Sequence, residues 1–203
     1  MPKTSPKTAS AITANPHSWL TLNPDPDHIA DNFVFGVLES EYEGRSNTAL
    51  EFVTVKLQPV PPMNGGPAIT AERAEVVLPA DADDRFADPF ALAAEVDRMA
   101  VPDKPALLCY VTLYFPDAVR LHRVWSEARS FAETLAEREQ VATIVALHAP
   151  HRKGSANPVH AHLCVIPRVL NSLGLGCYQH LFCFPRGQKQ LAALWEAHRT
   201  RGS

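Results

Sequence analysis

Val141–Arg168, VATIVALHAPHRKGSANPVHAHLCVIPR, is the stretch on which the reading of the fold turns. Val141–His148 is an apolar, β-branched run of strand length. The residues after it, among them Pro150, Gly154, Asn157 and Pro158, form a loop by composition. His160–Pro167 then reads as a second strand. Alternate residues of a strand point to one face with Cα atoms about 7 Å apart. His160 and His162 therefore project together, with Ala161 and Leu163 facing the core. Pairing the two strands would bring the strand-end His148 beside them, and His151 in the loop is the alternative third member. Neutral imidazoles converging from a rigid frame are what a divalent metal requires. Three imidazoles on their own suit Zn²⁺ or Mn²⁺ better than Mg²⁺.

Working outward, Ala106–Phe115 (ALLCYVTLYF) is expected as a buried strand stopped by Pro116 and Asp117. In the segment that follows, 118–139, Leu121, Val124, Trp125, Ala128, Phe131, Ala132 and Leu135 recur at spacings of three and four. That is an amphipathic helix. Gln188–His198 reads as a closing helix. Toward the N-terminus, Asn32–Leu38, Leu50–Leu57 and Glu72–Leu78 have strand composition, and Phe90–Met99 has that of a short helix. Residues 58–67 and 80–89 read as loops. Residues 1–31 are rich in Pro, Ser, Thr and Asp and read as a flexible tail with Trp19, Leu20 and Leu22 as its apolar anchors. The expected architecture is one α+β domain over residues 32–200, an antiparallel sheet with helices packed on one face. It divides into an acidic part, 32–105, and a motif-bearing part, 106–200.

The 203 residues and 46% apolar content suffice for one sizeable core. The net charge of -3 conceals an asymmetry. Met1–Asp117 carries 8 basic and 17 acidic residues, net -9, whereas Ala118–Ser203 carries 11 and 5, net +6. Only the C-terminal part has the sign to attract a polyanion. Of the four cysteines, Cys109, Cys164, Cys177 and Cys183, no pair has the spacing of a zinc knuckle or redox motif. No signal-like start or long apolar run argues for secretion or membrane insertion. The cytoplasm, with reduced thiols, is the expected compartment.

Taken together, these pieces resemble a known family. VTLYFPDAV, the helix 118–139, VATIVALHAPHR, SANPVHAH, LCVIPR, LGLG and the closing QLAALWEAHR resemble, in order, the MobA/MobL-type relaxases. These belong to the HUH class (His, bulky apolar, His) of single-stranded DNA endonucleases. The match covers 106–199, a little under half the chain. The resemblance implies a histidine triplet holding Mg²⁺ or Mn²⁺, carried here onto His160, His162 and His148, with His151 as the other choice of third ligand. It implies a tyrosine nucleophile that becomes linked to a 5′ phosphate, a role in plasmid or mobile-element DNA processing, and single-stranded DNA and other mobilisation proteins as partners. Arg152, Lys153 and Arg168 are the implied DNA contacts.

The family places its tyrosine after a first strand, within an Arg- and Ala-rich helix. No tyrosine here precedes Tyr42, and the candidates are Tyr42 and Tyr178. If neither serves, the chain is a relaxase-like metal- or DNA-binding protein without nicking activity. VHAHLCVIPR also resembles the HIT nucleotide hydrolases, whose run of three alternating histidines is broken here by Cys164.

Overall fold

The computed structural model describes residues 16–22, 32–63, 68–102 and 106–201, without the side chain of Lys153. Nine strands and five α-helices follow one another in these residues. They are β1 (Thr21–Leu22), β2 (Phe33–Glu39), β3 (Glu41–Tyr42), β4 (Arg45–Ser46), α1 (Ala49–Leu57), β5 (Arg73–Val77) and α2 (Pro89–Arg98). Then come β6 (Ala106–Phe115), α3 (Leu121–Glu139), β7 (Val141–His148), β8 (Val159–Asn171), β9 (Gly174–Tyr178), α4 (His180–Cys183) and α5 (Gly187–Arg201). The main sheet has seven strands in the order β1-β2-β6-β8-β7-β5, with β9 pairing β8, and all its pairings are antiparallel. Among the described residues no helix is long and apolar enough to cross a membrane.

The α+β class and the antiparallel sheet with helices packed against it are as the sequence led one to expect. The helices, however, cover both faces. Strand alternation explains this, because the central strands are apolar at nearly every position. One set of side chains, including Phe35, Val111, Val145 and Leu163, packs under α3 and α5 through Trp125, Phe131, Leu135, Leu191 and Trp195. The intervening set, including Leu108, Tyr110, Ile144, Cys164 and Ile166, packs under α1 and α2 through Phe52, Val53, Leu57, Leu92 and Val96. A strand buried on both sides reads as a continuous hydrophobic run, which is what ALLCYVTLYF and VATIVAL are.

Two segments depart from expectation. Residues 50–57, read as a strand, form α1. Ala49, Phe52, Val53, Lys56 and Leu57 are its buried positions, a helical spacing disguised by a lysine in the stripe and by β-branched neighbours. Its N-terminus is held by the Thr48 hydroxyl, which accepts from Glu51 N (3.1 Å). The Asp97 carboxylate of α2 also accepts from Ala49 N (2.6 Å) and Leu50 N (3.0 Å). Residues 16–22, placed by composition in the tail, form a 3-10 turn at Pro16–Trp19 and the edge strand β1, with Trp19 and Leu20 buried. Gly36 of β2 permits this approach, since a Cβ there would lie 2.1 Å from Leu20 Cδ1 and 2.8 Å from the Thr21 carbonyl. The remainder of 1–31 lies outside the described residues.

Candidate metal centre

The β7–β8 hairpin sets the geometry. His148 pairs directly with His160 across it, and Ala146 pairs with His162. On the other side of β8, β6 places Tyr114 opposite His160, Thr112 opposite His162 and Tyr110 opposite Cys164. All of these side chains lie on the α1/α2 face of the sheet. The three imidazoles meet there, with ring centroids 4.5 Å (His148–His162), 4.7 Å (His160–His162) and 5.2 Å (His148–His160) apart. One ligating atom from each lies within 4.8 Å of the others, so the cluster can hold a metal ion. Bonds of about 2.1 Å in a tetrahedral site require nitrogens about 3.4 Å apart, so small side-chain rotations close the cradle.

Each ring is oriented by a second partner, as metal-ligating histidines usually are. His160 Nδ1 lies 2.9 Å from the Pro158 carbonyl. His148 Nε2 lies 2.6 Å from the Lys56 carbonyl, at the C-terminal end of α1. A carbonyl only accepts, so both nitrogens carry hydrogen, and a neutral ring then holds its lone pair on the opposite nitrogen. His162, 4% exposed, turns Nδ1 to Tyr110 Oη (2.8 Å) and Thr112 Oγ1 (3.0 Å). Nδ1–H can donate to either hydroxyl, leaving Nε2 for a metal. Tyr110 Oη is also 3.3 Å from His17 Nε2, which extends the chain of hydrogen bonds to the Pro16–Trp19 turn.

The electrostatics favour neutral imidazoles. Burial, followed by the nearby Lys56 charge, holds His162 well below the ordinary histidine value. Burial lowers His160 despite its bond to Pro158. Burial and then Lys56 lower His17 to about 4. Lys56 itself is 4% exposed, and burial pushes its ammonium down to about 8, which leaves it largely protonated at neutral pH. The sign of the resulting pH effect is definite. Below pH 6.5 the unfolded chain binds protons at these histidines while the folded chain resists them, so acid favours unfolding. For enclosed His162 the loss is up to about 1.4 kcal/mol per pH unit, from 6.5 downward to its lowered native value. Urea midpoints of EDTA-treated protein are expected to fall between pH 6.5 and 5, and less so in His162→Asn. Equal slopes for the two proteins would contradict the assignment.

The sequence candidates separate clearly on the structure. His148, His160 and His162 come together. His151 is exposed in the 3-10 turn Pro150–Lys153 and lies outside the cluster. Tyr178 pairs with Arg168, eight residues along β8 from His160 and thus roughly 25 Å away. It packs toward the α3/α5 core. Tyr42 follows the end of β2 that pairs with Ala106, again at the end of the sheet away from the histidines. Arg152 is ion-paired with Glu72 at 2.6 Å. Arg168 donates to the carbonyls of Gly176 (2.8 Å), Met99 (3.0 Å) and Leu175 (2.9 Å), which makes it a clamp on the backbone. Lys153 lies in the Pro150–Lys153 turn, and its side chain is outside the described set.

Several residues of the site escaped the sequence reading. Tyr110, Thr112 and Tyr114 were legible as a polar period-two series within the strand 106–115. Lys56 and His17 had no such signal, since they arrive from elements more than ninety positions away from their partners.

No family model matches this sequence, and no curated protein matches it either. Among solved structures, the chain is similar to one described as "Molecular Basis of Vancomycin Resistance Transfer in Staphylococcus aureus". The TM-score is 0.49 at 20% identity, over 66% of this chain and 73% of that one.

Proposed function

We propose that the His148–His160–His162 cradle binds a divalent metal and nicks single-stranded DNA, as its resemblance to MobA/MobL-type relaxases implies, within plasmid or mobile-element processing. The observation that carries this reading is the convergence of three oriented imidazoles from two paired strands. A bound divalent ion supplies charge neutralisation on the phosphoryl oxygens and alignment of the ester. The protein's part is to hold the rings through Tyr110, Thr112 and the Pro158 and Lys56 carbonyls, and to present a nucleophile.

That nucleophile is Tyr114. Its ring lies 5.5 Å from that of His160, and it is only half-buried, whereas Tyr110 is fully enclosed. Tyr114 also lines a cleft with Asn32, Asp117, Arg120, Arg123, Glu127 and Arg199, in which Arg199 is ion-paired with Glu127 and Arg120 and Arg123 are the cations nearest to hand for a phosphate. The phenolic oxygen forms a bond to phosphorus, the P–O3′ bond breaks, and the phenol's proton ends on the departing 3′ oxygen. Such a covalent intermediate keeps the bond energy for rejoining.

Incubation with a labelled single-stranded oligonucleotide and Mn²⁺ is expected to give an adduct that survives denaturation and disappears in Tyr114→Phe. An adduct mapped to Tyr42 or Tyr178 would reassign the nucleophile. An adduct that persists in His162→Ala would remove the metal from the reading.

A second reading, metal binding without nicking, has one observation in its favour. The arginines expected on DNA, Arg152 and Arg168, are spent on Glu72 and on backbone carbonyls. Metal uptake with no adduct on any oligonucleotide is its expected signature. The HIT-like alternative finds less support. Cys164, the third position of its run, is buried, and burial pushes its thiol up to about 12, so it offers no phosphate ligand.

A further inference from the structure

Lys56 is a buried cation set beside a cradle built for another cation. Its stem lies in the apolar stripe of α1, and its ammonium sits 4.6 Å from the centre of the Tyr110 ring and 5.2 Å from that of Phe52. Tyr110 in turn bonds His162, and the Lys56 carbonyl holds His148. The same residue therefore touches the site through its backbone and approaches it through its side chain. Among the described residues no carboxylate is paired with it. Aromatic faces attract an ammonium weakly and do not neutralise it. A lysine left buried in this way costs solvation, and it repels any divalent ion that the histidines hold. An anion that spans the two charges offsets both penalties together.

We infer that Lys56 and the metal-loaded histidine cradle form a two-point receptor for a phosphoryl oxyanion, with one oxygen on the metal and another on the Lys56 ammonium. The ligand class is a phosphate ester or inorganic phosphate. This rests on the metal reading of the cradle. It adds to that reading a charge which the resemblance does not supply, since the cradle residues it implies are histidines alone, whereas Lys56 arrives on α1. Lys56 acts as a binding group for the anion, and its loss should move metal and anion affinities in opposite directions.

The test uses the full chain, wild type beside Lys56→Met, which keeps an unbranched apolar side chain against Phe52 and Tyr110, and Lys56→Arg, which keeps the charge. Mn²⁺ binding is measured first by titration calorimetry. Binding of inorganic phosphate, a mononucleotide and a short single-stranded oligonucleotide to the Mn²⁺-loaded proteins follows. Lys56→Met is expected to bind Mn²⁺ as tightly as wild type or more tightly, and to bind the anions about tenfold more weakly. Lys56→Arg should retain most of the anion affinity. Loss of affinity for the oligonucleotide and mononucleotide but not for inorganic phosphate identifies an ester as the ligand. Equal losses for all three identify the phosphate group alone. Wild-type protein that takes up no divalent ion would overturn the metal reading, and the receptor with it. Metal uptake with anion affinity unchanged in Lys56→Met would overturn the receptor alone. Parallel loss of metal and anion in that variant, with Lys56→Arg equally impaired, would reduce Lys56 to a packing residue.

Discussion

Replacing His162 by alanine is expected to lower divalent-metal affinity by a hundredfold or more. This ring is the most enclosed of the three, and it is positioned from both sides, by Tyr110 and Thr112 on β6 and by His148 across the hairpin. Loss of an outer partner typically costs about ten- to a hundredfold in metal affinity, and loss of a ligand costs at least as much. Tyr110→Phe, which leaves Thr112 in place, should weaken binding by about tenfold on the same grounds. His151→Ala should leave it unchanged, because that side chain is exposed and outside the cluster. Calorimetric titration of Mn²⁺ or Zn²⁺ into the four proteins reads all of this directly. Equal affinities for wild type and His162→Ala would dismiss the cradle.

The second large effect is on stability. Arg168→Met removes three charge-assisted bonds to the Gly176, Met99 and Leu175 carbonyls, which tie β8 and β9 to the end of α2. Bonds to a charged group contribute about 1.5–3 kcal/mol each where they are buried, and these are only partly so. A net loss of about 3–5 kcal/mol follows, or a fall of roughly 10 °C in Tm for a chain of this size. Oligonucleotide affinity of the folded fraction should be unaltered. A variant with wild-type Tm and weakened DNA binding would restore Arg168 to the DNA-contact role that the sequence suggested.

The contrast between Arg168 and His162 shows where sequence reading succeeds in this protein. The two paired histidines of β8 were legible because period-two alternation is a local property, and the placement of His148 needed only the assumption of a hairpin. The apolar periodicity of α3 was equally local. The bonds of Arg168 were not legible, since its partners are carbonyls of residues that carry no side-chain signal. Residues 50–57 failed for a related reason. Val53, Thr54 and Val55 have strand propensity, and the residue that breaks the apolar stripe, Lys56, is the one the site uses. The second helical layer was hidden as well, because continuous apolar runs do not say on how many faces they are covered.

The direct pairing of His148 with His160 has one more consequence. Alignment of the cradle resides mainly in the β7–β8 hydrogen-bond ladder, and what the joining segment adds to it is the Pro158 carbonyl beside His160, at the β8 end. A chain severed between Gly154 and Ser155 would carry one ligand on the first fragment and two on the second. Metal capture then requires the fragments to recombine, and the hairpin becomes a split reporter whose signal is the ion itself.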